Sequence, residues 1–445
     1  MSDQHAKKTG MASPPLNGFD PPMSHSVEDA EVVVIGGGIV GVSLSLFLAK
    51  MGISTALVEK GRIGGEQSGR NLGFCRASGR DDAETPLGLL SLELWDELSR
   101  TINDDLGFRR CGRLYLCETD AQLADQERAA GVARNHGIRV NRLSPSEIDD
   151  FLPDATRHWV GAFHTPGDGR AEPEFAAPAI ARAAHKAGAR VYTNCAARSL
   201  DVRGARVTGV VTEWGRIACS KVVIATGAWS SPFLRTLGVR FPIMQIAASV
   251  MRTAPVSGNS DLCIGTGDFG FRRHLDGSFS ISPFGGAVSL GPDTLRFALD
   301  FLPALRERRR AISFRLDRRS ARALLLELPW GQGSELRYER EREIECSTSA
   351  RRLAYAFEKF LEARPDCAEV PILHRWAGVI DASPDSVPTI DAVSGTGGLW
   401  VAGGFSGHGF GLGPGAARLL SELVTGAKPS VDVTPFRMNR KALSA

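Results

Sequence analysis

The chain is poor in the features that mark several large functional classes. Its 445 residues carry a formal charge of only +3, too small a bias to specify nucleic acid or an anionic membrane as a partner. No stretch reaches the roughly 18 apolar residues that would span a bilayer. The eight cysteines (Cys75, Cys111, Cys117, Cys195, Cys219, Cys263, Cys346 and Cys367) form no C-x-x-C pair and no metal-ligand spacing. They read as reduced, buried thiols, and no metal is expected. About the first 28 residues are polar, with Lys7 and Lys8 but no apolar segment behind them, which excludes a secretory signal and predicts a disordered tail over 1–29. There is no internal repeat. Only four tyrosines occur (Tyr115, Tyr192, Tyr338 and Tyr355), and none has a position that marks a catalytic hydroxyl. Together these absences predict a cytoplasmic globular protein, and 43% hydrophobic with 23% charged residues fits that class.

What is present starts at residue 33. Val33-Val34-Ile35 reads as a buried strand, Gly36-Gly37-Gly38-Ile39-Val40-Gly41 follows, then an apolar helical stretch and Ala56-Leu57-Val58-Glu59. Gly36, Gly38 and Gly41 fall at the G-x-G-x-x-G positions, which close a tight turn, admit a pyrophosphate and let the helix lie close to the sheet. The phosphates would rest on the helix N-terminus. Glu59 ends the second strand, where a carboxylate accepts from ribose hydroxyls. An acid there suits FAD or NAD and disfavours NADP.

Further along, Thr85-Pro86 reads as an N-cap followed by proline at the first helical position. Residues 112–117 read as a strand, 120–136 as a helix, and Pro173 to Ala187 as another. Strands follow at 190–193, 199–202 and 206–212, then a buried strand from Lys221 that runs into Ala225-Thr226-Gly227-Ala228-Trp229-Ser230. In residues 296–364, Arg306, Arg308, Arg309, Arg310, Arg315, Arg318, Arg319 and Arg322 alternate with Leu305, Ile312, Phe314, Leu316 and Leu324–Leu326. Such a basic amphipathic stretch serves a membrane or a partner, or it is a solvated helix face whose arginine stems cover core; the second reading is preferred. A last helix is predicted from about Pro414 to Leu423.

Three segments need a joint explanation: the small-residue run at 224–230, the Trp376-to-Asp385 stretch that turns at Pro384, and Gly403-Gly404-Phe405-Ser406-Gly407-His408-Gly409-Phe410. An NAD enzyme has little use for the last loop. An isoalloxazine does, since it needs backbone donors and a helix N-terminus near its reducible end.

In these segments the chain resembles the D-amino-acid oxidase/glycine oxidase/sarcosine oxidase superfamily of FAD-dependent oxidoreductases, over about residues 31–428. The resemblance implies an α/β (α+β) fold, a Rossmann-like FAD-binding domain interleaved with a mixed or antiparallel-sheet substrate domain. It places FAD binding in 30–80, 170–240 and 372–428, the substrate domain in 81–169 and 241–371, and a C-terminal tail at 429–445. Cofactor contacts carried over by motif are Gly36, Gly38, Gly41, Glu59, Ser68, Arg70, Asn71, Gly73, Ala197, Gly227, Phe405, Ser406, Gly407, His408, Gly409 and Phe410. The family's arginine after W-x-G-x is Ile380 here, its tethering cysteine is Gly378, and its lysine after G-F-S-G-H-G-F is Gly411. FAD is therefore expected to be non-covalent. Arg76 becomes the first candidate to hold a substrate carboxylate, with a pyrophosphate or a neighbouring Asp as its alternative partner. Arg272 or Arg273 comes second, and Asp381 could favour a cationic group. His408 is either a structural member of the flavin loop or a proton-transfer group, so Arg76, His408 and Arg273 are the candidate catalytic side chains. The implied reaction is oxidation of the C–N bond of a D-amino acid or N-substituted amino acid, with oxygen or a carrier as electron acceptor. The rivals are a flavoprotein subunit of a hetero-oligomer with little activity alone, and an NAD-dependent dehydrogenase.

Overall fold

The structure, a computed structural model, describes residues 16, 18–19, 26–257, 261–307, 311–327, 339–440 and 443. Lys7, Lys8, Arg308, Arg309, Arg310 and Tyr338 lie outside the described residues, as do the side chains of Arg322 and Leu324–Leu326.

Strand β1 (Val32–Ile35) is buried on both faces, as expected for the centre of a parallel sheet covered on two sides. It pairs in parallel with β2 (Thr55–Val58) and with the Lys221–Ile224 strand. Arg190–Tyr192 extends the sheet beyond β2, while Leu399–Gly403 and then the antiparallel Thr389–Ala392 complete the other side. Helix α1 (Ile39–Lys50) is buried almost all round. It packs against helices Pro173–Lys186 and Gly409–Thr425, which accounts for its lack of a polar face.

The second sheet is ten-stranded and mixed. Its centre is Met244–Thr253, paired antiparallel with Phe279–Pro283, Gly286–Ser289 and the long Ile372–Ala382 strand. The sequence grouped residues 372–382 with the nucleotide-binding segments, but their hydrogen bonds lie in this second sheet. The strand leaves that sheet at Ala382 and turns through Ser383–Ser386, so one continuous stretch of chain joins the two sheets.

Most elements lie within two residues of their expected places. The helix at 85 starts with Thr85 inside and Glu84 at the cap. The last helix departs further: it starts at Gly409, with Pro414 inside it. Proline there removes the bond to residue 410, and Ser91 and Trp95 compensate nearby. Gly415 N donates to Ser91 Oγ (3.1 Å), while Ser91 Oγ and Trp95 Nε1 both donate to Gly411 O (2.7 and 3.1 Å). Within residues 1–29, expected as a disordered tail, the described residues Phe19, Glu28 and Asp29 make contacts with the fold. Glu28 N donates to Tyr192 Oη, Asp29 Oδ1 accepts from Ala218 N, and the Phe19 ring meets His185 edge-on. In the arginine-rich segment, Leu305 and Ile312 pack against Met244, Val288, Phe297 and Phe301 as expected. Phe314 and Leu316 do not, being 47% and 80% exposed: among the described residues Phe314 lies in an edge strand, Ile312–Arg315, rather than a helix, that pairs with Gly286–Ser289, and Leu316 follows it.

Candidate active site

A cavity of about 610 Å³ runs between the sheets. One end is lined by Gly36–Gly38, Glu59, Ser68, Ala197 and Gly227, the middle by Asn71, Gly73 and Phe405–Phe410, and the other end by Arg76, Arg80, Arg113, Tyr115 and Phe284.

The first end is built for a dinucleotide. Gly36 has φ +113°, and a Cβ there would stand 2.4 Å from Ala225 O, so only glycine lets the β1–α1 turn pass the neighbouring strand. Gly41 does not line the cavity; it holds α1 against this turn. Ser68 Oγ accepts from Ile39 N (2.8 Å) and thereby satisfies one donor of the helix N-terminus. The two oxygens of Glu59 accept from Gly37 N and Gly61 N, each at 2.7 Å, and burial raises the carboxyl above its ordinary value. A carboxylate oxygen has two lone pairs, so one remains on each for a ribose diol. Residues present thus fit the adenosine half of FAD. Glu59→Ala is expected to weaken FAD retention about 10- to 100-fold, the worth of a charge-assisted hydrogen bond, in titrations of the apoprotein. Unchanged affinity would reduce Glu59 to a support for the Gly37 and Gly61 turns.

Several neighbours of this end are missing from the sequence reading. Lys60 stands 3.6 Å over the Trp229 ring and donates to Glu341 O (2.6 Å). Glu343 lines the cavity and pairs with Arg62 and Arg70 at 2.7 and 3.0 Å. Arg342 donates to Lys60 O and pairs with Glu213. Residues 341–344, far along the chain, thus strap the nucleotide end. Nothing local announces it beyond the density of charge in Glu339-Arg340-Glu341-Arg342-Glu343.

In the middle, the segment expected to cover the flavin folds on itself. Asn71 Oδ1 accepts from Gly73 N (2.6 Å) and its Nδ2 donates to Gln67 O and Ser68 O. The Arg70 guanidinium is engaged by Ile344 O and Glu343. Asp381 Oδ2 accepts from Gly404 N (2.8 Å), Asp381 O from Ser406 N, and Ser406 Oγ from Ser383 N, stitching the Pro384 turn to the glycine loop. Asp381 lines the cavity; burial pushes its carboxyl up to about 6 against hydrogen bonds from the loop backbone and from Gln67. Gly378 lies against the stem of Arg70, and the fully buried Cys75 does not line the cavity, so neither position offers a thiol to the flavin.

His408 precedes the helix Gly409–Thr425, its Nδ1 3.2 Å from the buried carboxylate of Glu84. Burial lowers its pKa to about 4 against the pull of Glu84, so the ring is neutral at physiological pH and Nδ1–H donates to Glu84. That geometry favours the structural role in the flavin loop over proton transfer.

At the far end, Arg76 lines the cavity as expected, its Nη1 donating to Ser78 O and Gly79 O. Arg273 does not line it and donates instead to Val256 O. Arg272 is fully buried and chelated by Glu172, a knot that includes Arg170 and His274. Neither is a substrate anchor. Adjacent strand residues point to opposite faces, so no more than one of the pair could have reached a given site, and neither does. Arg80 and Arg113, which the sequence reading passed over, do line the cavity. The alternation Arg113-x-Tyr115 on a strand is the one signal that could have marked that face.

Comparison with known proteins agrees with this geometry. The chain is 27% identical over 413 residues to glycine oxidase of Pseudomonas aeruginosa, covering 91% of this chain and 97% of that one. It is 26% identical to 4-methylaminobutanoate oxidase (formaldehyde-forming) of Paenarthrobacter nicotinovorans over 92% of this chain, and spans 45% of that relative's length. The L-amino acid deaminase of Proteus myxofaciens, solved with anthranilate, superposes with a TM-score of 0.91 at 26% identity, covering 97% of this chain and 98% of that one. No helix among the described residues is long and apolar enough to cross a membrane. Residues 31–423 match the FAD-dependent oxidoreductase family DAO, and the chain belongs to that family.

Proposed function

We propose that this protein oxidises the C–N bond of an amino acid or N-substituted amino acid whose carboxylate is held by Arg76. The supporting observation is the single cavity that joins the dinucleotide cradle around Gly36–Gly38 to the Arg76 chamber at the second sheet. When bound, FAD supplies a two-electron acceptor for the hydride of the substrate α-carbon. The substrate C–N bond becomes C=N, its amine proton passes to water, and the imine is hydrolysed to a carbonyl and an amine. The chain's part is positional. Arg76 would fix the carboxylate with a planar fork. The backbone of 405–410 and the start of the helix at Gly409 present donors and a positive dipole end to the region where charge collects. Tyr115 and Phe284 line the chamber with aromatic surface.

Anaerobic mixing of the purified yellow protein with amino acids of both configurations and N-methyl amino acids is the test. At least one is expected to bleach the flavin, and recovery of colour on admitting air would identify oxygen as an acceptor. Acid precipitation is expected to release the colour into the supernatant; colour kept in the pellet would mean a covalent bond. A second reading, a flavoprotein subunit with little activity alone, has in its favour the exposed side chains Leu295, Leu299, Phe314 and Leu316. A yellow protein that no amine bleaches would select it.

A further inference from the structure

Three guanidiniums meet at the substrate end of the cavity. A Cβ on Gly79 would stand 3.2 Å from Arg113 Nη1 and 3.3 Å from Arg76 Nη1, so these two flank one point. Arg80 lies beside them, its Nε donating to Arg76 O (2.9 Å). Arg80 and Arg113 are only 7% and 9% exposed. Arg80 Nη1 and Arg113 Nε are buried with no hydrogen-bond partner among the described residues.

The nearby carboxylates Asp168 and Glu84 attract these guanidiniums from a distance but pair directly with none of them among the described residues. Asp168 is spent on Ala77 N, Ser78 N and Ser78 Oγ, and Glu84 on His408. Among the described residues, no ion pair within 4.0 Å involves Arg76, Arg80 or Arg113. Buried like charges that lack counter-ions are costly, and the proximity of Arg113 and Arg80 adds to burial in lowering the pKa of Arg76. One α-carboxylate occupies one guanidinium fork. It leaves the unpartnered donors of Arg80 and Arg113 unanswered.

We infer that Arg80 and Arg113 form a second anion subsite, and that the substrate is a dicarboxylic amino acid or N-substituted amino acid whose second carboxylate they bind. This rests on the proposed function for the amine chemistry, but the subsite itself can be tested without turnover.

Titration of the oxidised holoenzyme with glutarate, succinate, butyrate and acetate, followed by perturbation of flavin absorbance, reads the subsite directly. The dicarboxylates are expected to bind about 10- to 100-fold more tightly than the monocarboxylates, the range of one charge-assisted hydrogen-bonded contact. Equal affinities would overturn the inference. In Arg113→Leu and Arg80→Met, each checked for normal FAD content, the difference is expected to shrink towards unity; persistence of the full difference in both would also overturn it. If either variant loses FAD, the wild-type titration decides alone. Anaerobic bleaching by matched pairs, alanine against aspartate and sarcosine against iminodiacetate, separates the two proposals. Dicarboxylate binding with no bleaching by any amine would sink the proposed function and keep the subsite. Equal bleaching by neutral and acidic members would keep the function and sink the subsite.

Discussion

Glu172→Ala is expected to cost about 3–5 kcal/mol of stability, the range for breaking a buried ion pair from one side. Glu172 is 1% exposed. Its Oε1 accepts from Arg170 Nη1, Arg272 Nη1 and Leu275 N at 3.0–3.1 Å, and its Oε2 from Arg272 Nη2 at 3.0 Å and His274 Nδ1 at 2.5 Å. Burial alone would raise this carboxyl, but the Arg272 charge and the His274 hydrogen bond hold it far below the usual range. His274, pushed by burial to about 4, is neutral; its Nδ1–H donates to Glu172 and its Nε2 accepts from Ser280 Oγ.

Removing the carboxylate strands Arg272, which cannot lose its proton in water-free surroundings at modest cost, and leaves Arg170 only its pair with Asp261 at 2.6 Å. Arg272 Nε also donates to Leu72 O, so the flavin-covering segment should loosen with the knot. The pH dependence follows in sign. His274 has a folded pKa below its unfolded value of about 6.5, so its contribution is present above that value and is lost as pH falls towards 4. Glu172, also depressed, contributes above the unfolded carboxylate pKa of about 4.3 and loses that contribution as pH falls below it. Urea unfolding at pH 7 and at mildly acidic pH checks both statements. A variant within about 0.5 kcal/mol of wild type, the range of an ordinary surface substitution, would show that the knot is not a stabilising unit.

Gly41→Val is expected to yield a folded but nearly colourless protein. A Cβ at residue 41 would lie 1.9 Å from Gly36 O, so α1 must withdraw from β1 and carry its N-terminal donors with it. Overpacking of this kind costs about 1–3 kcal/mol of stability. Its effect on FAD is larger, because the helix N-terminus, the Gly36 turn and Ser68 all shift relative to one another. The measured quantity is the FAD-to-protein ratio from absorbance after purification. Gly131→Ala is the control: Gly131 lies in the Asp120–Asn135 helix with nothing within 4 Å of the added methyl, so stability should rise by up to about 1 kcal/mol and FAD content should not change. Full FAD occupancy in Gly41→Val would remove the close helix–strand approach from the account of binding.

The dinucleotide end was legible because its information is local. Gly36, Gly38, Gly41 and Glu59 lie within one strand–helix–strand unit, and each answers a backbone or ribose requirement set by its near neighbours. The 405–410 loop and the Arg76 end of the flavin-covering segment were legible through their resemblance to family motifs, and both line the cavity. The start of the last helix was misread at Pro414, because Ser91 and Trp95, some 320 residues earlier, satisfy the backbone around that proline.

What tertiary structure alone decided is which charges have partners. By motif, Arg76 ranks first among the candidate anchors and Arg272 or Arg273 second, while nothing in the sequence marks Arg80 or Arg113. Folding neutralises Arg272 on Glu172, turns Arg273 to Val256 O, and brings Arg76, Arg80 and Arg113 to one wall of the cavity without an ion pair among the described residues. Glu343 and Arg342 likewise become neighbours of the nucleotide end only because residues 341–344 meet Lys60 and Arg70 across 273 or more positions of chain. Strand and turn preferences are set by a few residues along the chain, whereas Coulomb pairing depends on separations in space of a few ångströms. The sequence by itself thus determined the cofactor cradle, and the fold decided which cations remain for a substrate.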